Sequence, residues 1–429
     1  MGTETRLRAI NLSFTLVLQM PDLTSPRGDI VTGPVGDGAT PPRSLRSNRL
    51  EIVIKITKYC NLRCSYCYEY PYLANKEVMP LDKISRLLEH LSHFDFAQDP
   101  QSGDEGFWFI WHGGEPFMVP IEQYTEIGKL QKSIIGPLRS RNFIQTNLTI
   151  LTDRHIEWLK SGKFIDRYGL GFSFDVYGDQ RIDIRSRPTA DKVLDNLQRV
   201  LDNDIPISGI VVLSRSTISQ LRNIFHFYHG IGMDFRLLPY HIESEPQQTA
   251  VHSLEPQETA AAMCTLFDLW CQAEESIIIA PLNEYTEDAI AFINNRKKFF
   301  YDKAVDESIF VVNTDGAVHG HETYLNDHRY GNLFEQPFEE ILCSDNRRRL
   351  VAKAAQRVEE HCFKCEFYGA CSGFPVAEAN PMEQRWLARS GCYVAKVLTH
   401  IVERLSKAGL GLLPDAGPST SSPLRATRI

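Results

Sequence analysis

Three of the chain's ten cysteines fall within one short stretch, Lys58-Tyr59-Cys60-Asn61-Leu62-Arg63-Cys64-Ser65-Tyr66-Cys67-Tyr68. Their spacing is C-x3-C-x2-C. Iron–sulfur clusters are held by thiolates, ordinarily four, so three neighbouring ones leave an iron without a protein ligand. An open coordination position is what lets a metal centre take a substrate. The alternative is zinc, which ordinarily wants four ligands and CxxC pairs, and a single compact three-cysteine loop fits it poorly.

A second group, Cys362, Cys365, Cys371 and Cys392, has the pattern C-x2-C-x5-C-x20-C. Four thiolates suit zinc or a [4Fe–4S] cluster equally well. Cys264, Cys271 and Cys343 stand apart and read as ordinary buried thiols. Three further stretches carry polar groups in places where chemistry could use them. In Trp111-His112-Gly113-Gly114-Glu115-Pro116 the glycines allow backbone to approach a ligand closely, and Glu115 can pair with an ammonium; taken alone, the stretch is a turn. Gln145-Thr146-Asn147 and Ser173-Phe174-Asp175 place polar side chains in or next to apolar, strand-like runs, where the bland alternative is an ordinary strand and a strand-end cap.

The first cysteine group resembles the CxxxCxΦC signature of the radical S-adenosylmethionine (SAM) superfamily, with Tyr66 at the aromatic position. That resemblance implies a [4Fe–4S] cluster on Cys60, Cys64 and Cys67 whose open iron is chelated by SAM. It implies reductive cleavage of SAM to a 5′-deoxyadenosyl radical, hydrogen abstraction from a substrate, and a one-electron reductant of flavodoxin or ferredoxin type. Within it, Gly113, Gly114 and Glu115 resemble the GGEP motif that binds the SAM amino group. Gln145-Thr146-Asn147 resembles a QTNG element, with Leu148 in place of glycine, and Asn147 would contact SAM. Ser173-Phe174-Asp175 resembles an SxDG element, with Val176 in place of glycine. Ser173 would bond the ribose, and Arg185, or its neighbour Arg187, would reach the carboxylate, a task that suits guanidinium geometry. Asp175 would touch substrate or act on a proton.

The second group resembles the SPASM/twitch extension of such enzymes, which carries auxiliary clusters. Asp315-Gly316 is followed by His319 and His321 where full SPASM domains have a cysteine, and Cys371-Ser372-Gly373-Phe374-Pro375 lacks another. The expectation is therefore one auxiliary [4Fe–4S] cluster on Cys362, Cys365, Cys371 and Cys392. His321 is either an unusual ligand or an ordinary loop residue. The KxTxxCNLRCxYCY-like start, the WHGGEP run and the CxxC…C…C tail are most similar to SPASM-type maturases of ribosomally made peptides, those that crosslink aromatic side chains among them.

These residues need elements to position them. Leu50–Ile56, Phe107–Trp111, Ile144–Leu151, Leu170–Phe174, Ile207–Leu213 and Phe235–Pro239 read as strands. Helical stripes lie between them, at Leu81/Ile84/Leu87/Leu88/Leu91, Ile121–Ile135, a short helix from Asp153, Val193/Leu194/Leu197/Val200/Leu201 and Leu221–His229. Alternation of this kind argues for an α/β fold with a parallel sheet and right-handed crossovers. Six units are too few for eightfold closure, so the expected form is a partial (β/α)6 barrel with a C-terminal cysteine-rich extension. Chemistry in such folds sits at the C-terminal ends of the strands, where Cys60, Gly113 and Asp175 fall.

The expected division is a disordered segment at 1–48, a barrel at 49–240, a helical connection at 241–310, an auxiliary-cluster extension at 311–408 and a disordered tail at 409–429. In the connection, Thr259–Gln272 reads as a helix packed between barrel and extension. Net charge is −8, which gives no electrostatic reason to expect a nucleic-acid partner. No stretch approaches the roughly 18 apolar residues of a membrane span and no export signal is evident, so the expected location is cytoplasmic.

Two kinds of substrate fit. In a peptide maturase, the side-chain radical closes a C–C, C–O or C–S bond and gives up an electron that an auxiliary cluster can accept. The alternative is tailoring of a small natural product (a sugar, nucleoside or aminoglycoside) by dehydrogenation, epimerisation or sulfur insertion. The first 48 residues contain no strand–helix peptide-binding module, which counts against the peptide unless a separate partner supplies one. A degenerate, non-enzymatic scaffold is disfavoured by the intact Cys60, Cys64, Cys67 and Glu115.

Overall fold

A computed structural model describes residues 45–96, 106–137, 139–240, 251–274, 277–320 and 328–409. His321, nearly all of the 1–48 segment and all but the first residue of the 409–429 tail lie outside the described residues. Strands and helices alternate from the start: β1 (Arg49–Thr57), α1 (Leu81–Ser92), β2 (Gly106–Gly113), α2 (Ile121–Ile134), β3 (Ser140–Thr146), α3 (Asp153–Lys160), β4 (Leu170–Ser173), α4 (Ala190–Asp202), β5 (Ile207–Leu213), α5 (Leu221–Gly230) and β6 (Phe235–Pro239). The strands pair in chain order, all parallel. Alternation in β1 sends Leu50, Ile52, Ile54 and Ile56 into the core, against a helical layer to which α1 contributes Ile84, Leu87, Leu88 and Leu91. Burying each such side chain is worth about 1.5–3 kcal/mol.

Two local readings needed correction. Leu194 belongs to the apolar stripe of α4 by spacing but is exposed. The third strand runs over Ser140–Thr146 rather than Ile144–Leu151. It stops because Asn147 folds its side chain back, Oδ1 accepting from Thr149 N at 2.9 Å, and because Leu148 takes a left-handed φ of 57°. Asn147 therefore lies just past the strand's C-terminal end.

Beyond β6 come α6 (Pro256–Gln272), β7 (Ile279–Ala280), α7 (Leu282–Ile293), α8 (Lys303–Asp306), β8 (Ile309–Val312), β9 (Ala317–His319), β10 (Arg329–Asn332), α9 (Phe338–Leu342), α10 (Asp345–His361), α11 (Phe374–Ala377), α12 (Pro381–Ser390) and α13 (Tyr393–Lys407). The short strands do not form a separate sheet. β7 extends the barrel beside β6, and β8 adds in parallel to β1 with β9 and β10 antiparallel beyond it, in the order β10-β9-β8-β1-β2-β3-β4-β5-β6-β7. The barrel is open, and its first edge is the seam to the extension. Helix α6 buries Met263, Leu266 and Phe267 between α5 and α13, the packing role its apolar side indicated. Among the described residues, no helix is long and apolar enough to cross a membrane.

Candidate functional site

The chain leaves β1 at Thr57 and turns at once into the cysteine loop. Gly113 and Gly114, at the end of β2, lie beneath that turn. Gly114 N donates to Thr57 O at 2.8 Å and Glu115 N to Tyr59 O at 2.9 Å. A Cβ on Gly113 would stand 2.2 Å from Thr57 O, and one on Gly114 2.2 Å from Tyr59 O. These glycines admit the backbone leading into the cysteine loop. From the other side, Arg63 N donates to Ile182 O at 2.7 Å and Ser65 N to Gln180 O at 3.0 Å. The loop is thus pinned between the end of β2 and the segment 180–182 beyond β4.

Cys60 and Cys64 are buried and Cys67 half-buried. Burial pushes the Cys60 and Cys67 thiols up to about 12 and raises Cys64 as well, and each feels the charge of a neighbouring cysteine or carboxylate. Two N–H groups point at Cys60 Sγ, the Leu62 amide at 3.4 Å and Asn147 Nδ2 at 3.7 Å. This donor set fits a [4Fe–4S] cluster. Three thiols close in chain and space are held on a pinned loop, with N–H donors that favour sulfur as thiolate; a cationic cluster core would supply the charge that burial otherwise withholds. Among the described residues, no three His, Cys, Asp or Glu side chains are grouped as a site for a single metal ion.

Glu115 is completely buried and accepts from Thr146 Oγ1 (2.6 Å), Asn147 N (2.7 Å) and Phe117 N (2.9 Å). Burial raises its pKa to about 7, against the pull of those donors. Asn147 also donates to Asn61 Oδ1 at 3.0 Å, so Glu115, Asn147 and the cysteine loop form one bonded unit. Gln145 lies flat across Gly171, where a Cβ would meet its Oε1 at 2.2 Å, and donates to Ser173 Oγ at 2.9 Å.

Asp175 is buried and fully engaged. It accepts from Tyr66 Oη at 2.6 Å, Arg181 Nε at 3.0 Å and Val212 N at 2.9 Å. Burial raises the Tyr66 hydroxyl well above its usual range, so it stays a neutral donor. Burial works against the charge on Arg181, but Asp175 and its neighbours hold it firmly protonated. Arg181 also stands over the Tyr66 ring at 5.7 Å and favours the Cys64 thiolate. The structure does not bring Arg185 to this group. Arg185 is exposed and its amide bonds Asp183, while Arg187 pairs with that same Asp183. Arg181 is the guanidinium at the strand ends, and only its position six residues past Asp175, among several arginines before Pro188, hinted at it. The replaced glycines keep left-handed backbones, with φ 57° at Leu148 and 64° at Val176.

At the other end of the chain, Cys362 is buried and Cys365, Cys371 and Cys392 are half-buried. Burial pushes Cys362 up to about 12 and raises Cys371 and Cys392; the charges of Cys392 and Cys365 are felt at Cys362, and that of Cys392 at Cys371. Cys392 caps α13, and the Val394 and Ala395 amides favour its thiolate. Cys371 accepts from Gly373 N at 3.5 Å and donates to Asp288, which pairs with Lys298 at 2.9 Å. As donors, four thiolates would suit a closed site. Cys264, Cys271 and Cys343 lie outside both groups and are half-buried, less covered than their sequence context suggested.

Residues 54–228 match the model of the radical SAM superfamily. The cysteine-type anaerobic sulfatase-maturating enzyme of Clostridium novyi is 23% identical over 330 residues, covering 75% of this chain and 86% of the relative. The serine-type enzyme of Bacteroides thetaiotaomicron is 22% identical over 352 residues, covering 76% and 82%. Among solved structures, native anSMEcpe with bound AdoMet and Cp18Cys peptide superposes with a TM-score of 0.62 at 18% identity, over 84% of this chain and 97% of that one. Streptococcus suis SuiB bound to precursor peptide SuiA gives 0.52 at 14% identity, over 78% and 74%. The cysteine loop, its GGEP support and the barrel that carries them agree with these matches: residues 54–228 form a radical SAM domain, and the chain as a whole is similar to sulfatase-maturating enzymes and shares the fold of anSMEcpe and SuiB.

Proposed function

We propose that this enzyme is a peptide maturase that uses SAM to oxidise or crosslink a side chain of a ribosomally made peptide. The observation that carries it is the three-cysteine loop at the end of β1, locked to Gly114 and Glu115 and facing the Asp175–Tyr66–Arg181 group. When bound, the cluster supplies one-electron cleavage of SAM and hence a hydrogen-abstracting radical. The protein's own residues do the rest. Cys60, Cys64 and Cys67 would hold the cluster, and Glu115 would take the SAM amino group. Asn147 orders Cys60, and Ser173, held by Gln145, would bond the ribose. Arg181 replaces Arg185 as our choice for the carboxylate. Asp175, tied up by three donors, orients Tyr66 and Arg181.

The peptide substrate is supported by the relatives. The sulfatase-maturating enzymes are named for a protein substrate, and two structures of this fold hold peptides. We place an auxiliary [4Fe–4S] cluster on Cys362, Cys365, Cys371 and Cys392, within an extension at 311–408, as the acceptor of the electron released when the product bond closes.

The test is anaerobic reconstitution followed by dithionite reduction with SAM. Wild type should release 5′-deoxyadenosine and methionine, and a peptide deuterated at the attacked position should pass deuterium into the 5′-deoxyadenosine. Cleavage without transfer from any peptide would remove the peptide assignment and leave the superfamily chemistry standing.

A further inference from the structure

SAM cleavage consumes one electron per turnover, and no group in this chain generates it. The electron must enter near Cys60, Cys64 and Cys67, and the surface over that loop has a distinct character. After Cys67 the chain makes a short turn, Tyr70–Tyr72, whose Tyr70 amide bonds Cys67 O at 3.1 Å. The next residue, Leu73, accepts from Cys60 N at 3.1 Å. A single layer of chain therefore covers the cysteines here, and Cys67, the least buried of the three, lies at its edge.

That layer is aromatic and basic. Tyr70 and Tyr72 are 37% and 53% exposed, an unusual outlay of large rings beside a buried centre. Lys58 Nζ stands 4.6 Å over the Tyr72 ring and Lys76 Nζ 5.6 Å over the Tyr59 ring. Such pairing holds ammonium and ring together, so less side-chain freedom is lost when a partner docks. The chain as a whole carries −8, yet residues 55–77 have four bases, Lys55, Lys58, Arg63 and Lys76, against two acids, Glu69 and Glu77. Glu69 is paired with the buried Lys55, which leaves the half-buried Lys58 and the exposed Lys76 and Glu77 at the surface with the tyrosines. Arg63 is turned inward onto the carbonyls of Cys60 and Leu62 at 2.8 and 2.6 Å.

We infer that the Lys58–Tyr59–Tyr70–Tyr72–Lys76 surface is the docking site of an acidic one-electron carrier protein of flavodoxin or ferredoxin type. The inference rests on the radical SAM assignment. The carrier is oxidised by one electron. That electron is spent in breaking one C5′–S bond of SAM, giving methionine and the 5′-deoxyadenosyl radical, and no proton moves between the proteins. Aromatic rings at the centre of a small interface with cations around them match the composition of transient recognition surfaces, and opposite charge sets the rate of encounter.

The experiment compares Lys58→Glu/Lys76→Glu with wild type, driving SAM cleavage either with dithionite or with a flavodoxin, flavodoxin reductase and NADPH. The expected result is a loss of roughly tenfold or more in the flavodoxin-driven rate, with the dithionite-driven rate unchanged. Binding of oxidised flavodoxin, read by titration without turnover, should weaken in parallel, and the wild-type affinity should fall with added salt. Lys58→Arg/Lys76→Arg should keep both. An unchanged flavodoxin-driven rate, or equal losses with both reductants, would overturn the docking site. Cleavage by neither reductant in wild type would overturn the assignment beneath it.

Discussion

Around Cys60, Cys64 and Cys67 the neighbours are polar: Asn147, Glu115 and Asp175 just past strand ends, Tyr66 in the loop itself and Arg181 in the segment beyond β4. Around Cys362, Cys365, Cys371 and Cys392 they are helices, rings and one ion pair, with α13 packed against α6 and α7 and Lys298 closing Asp288. Burial raises thiols in both groups, Cys60 and Cys67 to about 12 in the first and Cys362 to about 12 in the second. What differs is the number of thiols and the chemistry of the surroundings. Three thiols amid hydrogen-bonding side chains make a site that admits a ligand. Four thiols packed among helices would make one that does not.

The sharpest break between the two is their independence. Replacing Cys60, Cys64 and Cys67 with Ala should abolish SAM cleavage and remove about four irons per chain, leaving about four. Replacing Cys362 and Cys365 should remove the other four and leave dithionite-driven SAM cleavage measurable. Iron and sulfide analysis beside 5′-deoxyadenosine release reads both. Loss of all iron in either variant would mean that the sites do not stand apart.

The extension has a second distinguishing feature, a buried ion network. Lys303 Nζ bonds Glu307 at 2.8 Å and Glu378 at 2.7 and 2.8 Å, Arg347 Nε bonds Glu307 at 2.8 Å, and Tyr301 and Tyr330 donate to Glu378 and Glu307 at 2.6 and 2.7 Å. This network ties α8 to α10 and to the end of α11, beside the cysteines. Lys303→Ala would take the paired cation from buried Glu378, while Glu307 keeps Arg347 and Tyr330, and should cost about 3–5 kcal/mol in denaturant unfolding, while the barrel's SAM affinity changes little.

In the barrel, Glu115 should make SAM affinity depend on pH. Its free carboxyl titrates near 7, and only the ionised form attracts an ammonium. Affinity should therefore rise as pH increases toward about 7 and level off above it, by up to tenfold per unit below that point. Equilibrium dialysis of SAM between pH 5.5 and 8.5 measures this, and Glu115→Gln should flatten the rise. A wild-type profile without a slope would mean that Glu115 serves only its three protein donors.

The site's skeleton was legible because its parts are local in the chain. The cysteine spacing, the Gly-Gly-Glu-Pro run and the alternation of Leu50, Ile52, Ile54 and Ile56 are each visible within a few residues. The remainder depended on three-dimensional competition that spacing does not encode. Arg181, Arg185 and Arg187 are equivalent in sequence; Asp175 captures the first and Asp183 the third. The close backbone packing of Gly113 and Gly114 appears only once Thr57 and Tyr59 are placed beside them. β8, β9 and β10 are three or four residues long and gain their identity by adding to β1, so no periodic signal marked them as part of the barrel's sheet.

Leu148 and Val176 make the finest comparison, because both occupy left-handed positions where the resembling motifs have glycine. The backbone cost is alike, about 1–2 kcal/mol for a residue with a Cβ. The side chains differ: Leu148 is completely buried in the core, while Val176 is only partly covered. Leu148→Gly relieves strain but leaves a cavity and frees the unfolded chain, losses of about 3 kcal/mol or more for a buried leucine. It should therefore lower stability by about 2 kcal/mol. Val176→Gly gives up little burial, so relief and entropy nearly cancel and stability should stay within about 1 kcal/mol of wild type. Thermal unfolding of the two variants measures the difference. Equal losses would mean that burial is not what lets this chain carry leucine where glycine would serve.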